Sequence, residues 1–328
     1  MLVSSQKLNP KIFDADVEQL PLRNGFGEGL VIAADADPRV VGLCADLTDS
    51  TKMAAFAKKY PARFVEMGVA EQNLASVASG LAAVGKVPFI TSYAMFSPGR
   101  NWEQIRTTIC YNKRKVVIVG SHAGVSVGPD GGTHQAIEDV AIMRVIPTMV
   151  VISPVDSIEA RKATVAAAKI DAPVYIRLAR EKTPIVTTEE SPFEIGRANI
   201  LRDADAPKIA LMACGPLVHR ALVVAERLAT QGIEAIVVNN HTIKPLDHET
   251  LTAVAKKAGR VLTIEEHQVA GGMGSAIAEL LVRTAPVPME FVGVQDLFGQ
   301  SGTPDELLEQ YGMGHGAIEK AAHALLAR

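Results

Sequence analysis

The chain has 328 residues, 48% of them hydrophobic, and a formal charge of −3, which is long enough for two domains with real cores and, lacking a basic excess, argues against nucleic acid as the main partner. Cys44, Cys110 and Cys214 are widely spaced, odd in number and form no CxxC pair, which reads as reduced thiols in or near the core of a cytoplasmic protein. The opening MLVSSQKLNPKIF has no apolar signal-peptide stretch and no apolar run approaches membrane-spanning length, so a soluble protein is expected.

Along the chain, short β-branched runs alternate with helical patterns. VVGLCADL, KVPFITSY, KVVIVGSH, TMVVISP and PVYIRLA read as buried strands. SIEARKATVAAAKI is the clearest of the intervening helices. This alternation predicts a parallel sheet covered on both faces. TTEESPFEIG, polar and proline-containing, reads as an interdomain linker. A second alternation follows it: KIALMACG, IEAIVVNN and VLTIEEH as strands, with LVHRALVVAERLATQG, HETLTAVAKKAG and GGMGSAIAELLVRT as helices. The expected fold class is α/β, in two domains: residues 1–190 and a smaller one at 191–328.

Two glycine-rich stretches, GFGEG and GGMG, lack both the GxGxxG spacing after a strand and a P-loop lysine, and read as turns and helix starts. GSHAGVSVGPDGGTHQAIED carries more information. It directly follows a strand, at the edge where open α/β sheets bind ligands, and bears His122, Asp130 and His134. The histidine spacing is not metal-like, and hydrogen bonding to a polar substrate fits better. Tyr93 and Phe96, just after another strand, either stack on a flat ring or belong to the core. Arg23 before the first helix, Ser50 after CADLTD and Arg180 after YIRLA fall at element ends, where a guanidinium fork suits phosphate. In EMGVAEQNLASVASGL, Glu71 heads an alanine-rich run with no further charge until Lys86.

Together these segments resemble the C-terminal half of the transketolase family, over almost the whole chain. RFVEMGVAEQNLASVASGLAAVGKVPF is similar to its pyrimidine-binding segment. GSHAGVSVGPDGGTHQAIEDVAIMRVIP resembles its substrate-channel loop, and IKPLD with EEHQVAGGMGSAI its C-terminal domain. The resemblance implies a thiamine diphosphate-binding pyrimidine domain with a mainly parallel sheet, followed by a smaller α/β transketolase C-terminal domain. It implies that Glu71 hydrogen-bonds N1′ of the aminopyrimidine, that Tyr93 and Phe96 stack on that ring, and that Asp46 and Leu47 line the cofactor pocket. By the same resemblance His134 moves protons near the reacting carbonyl and Asp130 contacts a substrate hydroxyl. Arg23, Ser50, His122 and Arg180 form the ring that holds the sugar phosphate. A third aromatic found in some members is replaced by glycine in SPGR.

The GDG motif by which full-length members bind diphosphate through Mg²⁺ is missing from the chain. The resemblance therefore implies the C-terminal subunit of a split transketolase, with no metal ligands of its own. A separate N-terminal subunit would supply diphosphate and Mg²⁺ binding, in a heterotetramer with two copies of each. The alternatives are a subunit of another thiamine diphosphate enzyme, or a non-catalytic assembly partner of the same fold. In the first case the enzyme would be like 1-deoxyxylulose-5-phosphate synthase or a 2-oxo-acid dehydrogenase β chain.

Overall fold

A computed structural model describes residues 1–328. It opens with β1 (Gln19–Pro21) and α1 (Leu22–Ala36), followed by β2 (Val40–Cys44), α2 (Ala54–Lys59), β3 (Phe64–Glu66), α3 (Glu71–Ala83) and β4 (Val87–Tyr93). A single turn, α4 (Trp102–Gln104), runs into a π-helical segment, Ile105–Tyr111. Then come β5 (Val117–Ser121), α5 (Asp139–Arg144), β6 (Val150–Ile152), α6 (Ser157–Ala167), β7 (Val174–Arg177) and β8 (Lys182–Pro184). The second half comprises β9 (Asn199–Arg202), β10 (Ile209–Ala213), α7 (Leu217–Thr230), β11 (Ala235–Asn239), β12 (Thr242–Lys244), α8 (His248–Ala258) and β13 (Val261–Gln268). It closes with α9 (Met273–Thr284), β14 (Met289–Val294), α10 (Pro304–Gln310) and α11 (His315–Leu326).

The first sheet runs β12-β6-β7-β5-β4-β2-β3, parallel except for β12. The second runs β14-β13-β10-β11-β9, parallel except for β9. Every residue of β2, β5, β10 and β11 is buried, as strands covered on both faces must be, and this is why they read as unbroken apolar runs. Two helices, α6 and α8, start where a side chain satisfies a free amide: Asp156 Oδ1 accepts from the Glu159 amide at 2.8 Å, and Asp247 Oδ1 from the Thr250 amide at 3.1 Å. All three cysteines are buried and free, and burial pushes their thiols up, Cys110 to about 12. No helix is long and apolar enough to cross a membrane.

The two halves exchange segments. Strand β12, from beyond the linker, completes the edge of the first sheet. In return the first residues cross to the second: the Val3 amide donates to Leu201 O at 2.9 Å, and Ile12 packs with Leu211 and Leu222. Val41, Leu43 and Ile90 share one apolar cluster with Met212, Ile236 and Val238. The linker is itself pinned, with Lys162 Nζ donating to Thr188 O and Ser191 O at 2.7 and 2.6 Å.

GFGEG is not a turn. It lies inside α1, and Arg23 stands in that helix's first turn rather than before it. A Cβ on Gly25 would overlap the Ser157 carbonyl, and one on Gly29 would come within 2.8 Å of Arg161 O and Thr164 Cβ, so these glycines let α1 and α6 touch backbone to backbone. Gly25→Ala is expected to cost about 1–3 kcal/mol in urea unfolding. Gly80→Ala in α3, where an added Cβ meets nothing within 4 Å, is expected to stabilise by about 0.5–1 kcal/mol. Equal effects at the two positions would refute the close-approach account.

Candidate active site

The strand order β7-β5-β4-β2-β3 sets five carboxyl ends side by side. Each is followed by a segment carrying predicted residues. Asp46, Leu47 and Ser50 follow β2, Glu71 follows β3 and Tyr93 and Phe96 lie at the end of β4. His122, Asp130 and His134 follow β5, and Arg180 follows β7. Asp46 and His122 both leave their strands in the left-handed region, each at φ +58°, a strained conformation for residues with a Cβ that the surroundings must hold.

Glu71 is the first residue of α3 and only 3% exposed, and its Oε2 has no hydrogen-bond partner. Buried polar atoms are nearly always paired, so an orphaned carboxylate oxygen marks a place for a ligand group. The helix start is fixed by Asn101, whose Nδ2 donates to Glu71 O at 3.0 Å and to Ser97 Oγ at 3.1 Å. One amide thus ties the α3 N-terminus to the loop after β4. Glu71 also lines an open cleft of about 450 Å³ with Val69, Arg100 and Gln104.

The aromatic residues form one group with the histidines. Tyr93 stacks on His122 at 3.8 Å between ring centroids and lies 6.3 Å from Phe96. Phe96 meets the His134 ring edge-on at 5.4 Å. Both aromatics are half-buried rather than enclosed, which leaves ring surface available for stacking. His134 Nδ1 is 2.9 Å from Thr133 Oγ1.

Beside this group lies a basic corner. Arg23 Nη1 donates to Ser50 O at 2.9 Å and faces His122 Nε2 at 3.3 Å. Arg180 Nη1 donates to Val127 O at 2.7 Å, which holds it against the loop after β5. A guanidinium can only donate, so His122 Nε2 accepts and its Nδ1 carries the proton toward Ser121 Oγ at 2.8 Å. Burial, with the nearby Arg23, Arg180 and His134, pushes His122 down from 6.5 to about 3. The folded value lies below the ordinary one, so the neutral ring stabilises the fold. That contribution is fully present above 6.5 and is lost as pH falls through the folded value near 3. Nitrogen-15 NMR is expected to find His122 still neutral at about pH 5; a ring half-protonated near 6.5 would contradict this geometry.

Several predicted residues play quieter parts. Asp46 is exposed and touches the site through its backbone: its amide donates to Glu66 Oε1 at 2.7 Å. Leu47 packs on the apolar cluster below, and its carbonyl accepts from the Thr51 amide at 2.9 Å. Ser50 contributes its carbonyl, to Arg23. Asp130 is exposed at the loop tip and joins no hydrogen bond of the cluster. No group of three or more His, Cys, Asp or Glu side chains is placed to hold a metal ion.

Three site-building residues escaped the sequence reading. Glu66 accepts from the Asp46 and Gly68 amides and from Thr48 Oγ1, at 2.7, 3.0 and 2.7 Å, and so shapes the loop after β2. Asn101 fixes Glu71 as described. Glu266, in β13 of the other half, accepts from the Ser126 amide at 2.6 Å and clamps the loop after β5. The one available signal was a pair of glutamates in the apolar strand VLTIEEH.

Comparison with known proteins adds to this geometry. The family model for the transketolase pyrimidine-binding domain matches residues 18–186, and that for the transketolase C-terminal domain matches residues 196–318. The 6-deoxy-6-sulfo-D-fructose transketolase subunit SqwH of Clostridium sp. (strain MSTE9) is 41% identical over 96% of this chain and 98% of its own. The putative transketolase C-terminal section of Methanocaldococcus jannaschii is 42% identical over 91% of this chain and 94% of its own. A solved structure of a split-gene transketolase, an inactive β4 tetramer, superposes with a TM-score of 0.88 at 44% identity, over 94% of this chain and 99% of that one.

Proposed function

The chain belongs to the transketolase family, and from that premise we propose that it is the C-terminal subunit of a split, thiamine diphosphate-dependent transketolase. In this reading it moves a two-carbon ketol unit from a ketose phosphate to an aldose phosphate. A separate N-terminal subunit supplies Mg²⁺ and diphosphate binding, in an assembly with two copies of each. The observation that carries the reading is Glu71, a buried carboxylate with one oxygen unpartnered at the edge of an open cleft.

The residues present fit the pyrimidine end of the cofactor. Glu71 Oε2 is free to meet a ring nitrogen, and Tyr93 and Phe96 offer half-buried faces to a flat ring. When bound, thiamine diphosphate supplies the carbon nucleophile that cleaves the bond next to a ketose carbonyl, chemistry that side chains cannot provide. The chain's own residues do the rest. Glu71 holds a proton at the ring nitrogen, and His134, beside the aromatic pair, gives and takes protons at the substrate hydroxyl. Arg23 and Arg180, with the neutral His122 between them, anchor the far end of the sugar and so orient the carbonyl. Two guanidinium charges match a phosphate dianion better than a singly charged sulfonate, which favours a phosphorylated donor here.

The test is reconstitution with the N-terminal subunit and assay of xylulose 5-phosphate, a sulfonated ketose and pyruvate as donors. Turnover of the phosphorylated ketose is expected. Activity with pyruvate alone would move the protein to another thiamine enzyme class. Arg23→Gln is expected to raise KM for the phosphorylated donor about 30–100-fold, the loss of one charge-assisted bond and its neighbour, with a smaller change in kcat. An unchanged KM would remove Arg23 from the phosphate corner.

A further inference from the structure

In the loop after β5, Gly124 and Gly128 bracket a single 3₁₀ turn, Val125–Val127, and both stand in the left-handed region, at φ +89° and +85°. A turn hung between two such permissive residues takes the conformation that its contacts impose. Three side chains make those contacts. Glu266 Oε1 accepts from the Ser126 amide at 2.6 Å, Gln135 Nε2 donates to Val125 O at 2.9 Å, and Arg180 Nη1 donates to Val127 O at 2.7 Å. Glu266 belongs to β13 of the other half, and Gln135 is tied to that half by donating to Gln300 O at 3.0 Å. The Arg180 side chain is 30% exposed whereas Glu266 is 3% exposed, so the buried contacts set the turn and the turn sets Arg180.

Glu266 does not stand there to pair a charge. Arg177, the cation of this junction, pairs with Asp139 and gives its remaining bonds to the Ala136 and Glu266 carbonyls. Burial pushes the Glu266 carboxyl up, and a buried carboxylate outside an ion pair costs stability rather than supplying it. The loop also makes room for it: a Cβ on Gly124 would overlap the Glu266 carboxylate. What this arrangement secures is the geometry of one turn, whose last carbonyl holds Arg180.

We propose that Glu266 is a positioning residue for the phosphate corner: through the Ser126 amide it fixes the Val125–Val127 turn, and through the Val127 carbonyl that turn sets where Arg180 presents its guanidinium. The inference rests on the phosphate role proposed above for Arg180. It makes the second half of the chain part of donor recognition, although Glu266 forms no hydrogen bond with Arg23, His122 or Arg180. A small displacement of a group that orients substrate is enough to weaken its hold on the substrate.

Steady-state kinetics of the complex reconstituted with the N-terminal subunit test the assignment. Glu266→Asp keeps the charge and withdraws the accepting oxygen by one carbon, whereas Glu266→Gln keeps the reach and removes the charge. Glu266→Asp is expected to raise KM for xylulose 5-phosphate about tenfold with a smaller change in kcat, and to affect unphosphorylated xylulose less. Glu266→Gln is expected to hold KM for the phosphorylated donor within about threefold of wild type, because an oxygen still accepts from the Ser126 amide. In an Arg180→Gln background Glu266→Asp is expected to add nothing, since both changes act on one contact. A counter-charge to Arg177 would behave in the reverse order, with Gln damaging and Asp tolerated, and that result overturns the proposal. An unchanged KM in Glu266→Asp overturns it too. If Glu266→Asp does not fold, amide hydrogen exchange in the wild-type complex decides: slow exchange at Ser126 is expected, and free exchange overturns the clamp. A wild-type complex that uses xylulose as well as its phosphate sinks the phosphate role of Arg180 and this inference with it, whereas an unmoved KM in a phosphate-dependent enzyme sinks this inference alone.

Discussion

Glu71→Gln, assayed in the complex reconstituted with the N-terminal subunit, is expected to lower kcat for two-carbon transfer about 10³-fold, the range for loss of a positioned acid–base group. The same change is expected to leave the melting temperature unchanged or slightly raised. The physical reason is the unusual state of this carboxylate. It is buried, its Oε2 has no partner in the chain, and a buried polar atom without a partner costs stability rather than supplying it. Asn101 holds Glu71 through the backbone carbonyl, so the helix start survives the change of side chain. A structural role predicts the opposite pattern: stability falls and activity follows it. Near-normal turnover in the variant would sink the assignment of Glu71 to the cofactor. A loss of turnover matched by a collapse in melting temperature would sink it as well.

Much of this arrangement was legible because parallel sheets announce themselves. β2, β4, β5, β6 and β7 are buried strands, and each appeared as a short apolar run. A loop following such a run must emerge at a carboxyl edge, and the loop bearing His122 and His134 does so after β5. The nature of a close helix contact was not legible. The glycines of α1 are required by Ser157 and Arg161 of α6, and no local pattern connects segments so far apart in the chain. Nor could periodicity supply the order β7-β5-β4-β2-β3, which sets the loops bearing His122 and Arg180 side by side. The residues that build the site without facing it were invisible for a related reason. Glu66 and Asn101 work through backbone groups, and Glu266 acts on a loop of the other half. The exchange of β12 and the N-terminal segment between halves follows from edges that needed covering. The polar linker between the two alternations gives no sign of it.

Asp139→Asn is expected to be the most damaging single change outside the catalytic residues, costing about 3–5 kcal/mol in urea unfolding. Asp139 Oδ2 accepts from Arg177 Nε at 2.9 Å and from Tyr175 Oη at 2.7 Å, with the pair 1% and 5% exposed. Arg177 spends its other bonds on main chain, donating to Ala136 O at 3.1 Å and Glu266 O at 2.8 Å. Removing the carboxylate charge strands a guanidinium that cannot lose its proton and has no route to water. The two carbonyls it holds belong to the end of the loop after β5 and to β13 of the other half, so the damage reaches the site. KM for the sugar substrate is expected to rise along with the loss of stability. Tyr175→Phe removes one hydrogen bond from the same oxygen and is expected to cost only about 1 kcal/mol. Replacing both charged partners, Asp139→Leu with Arg177→Met, is expected to recover much of the stability lost in Asp139→Asn, because neither member of this pair is then left buried without the other. If the double variant is no more stable than the single one, the pair is not what holds this junction, and the carbonyl contacts of Arg177 are.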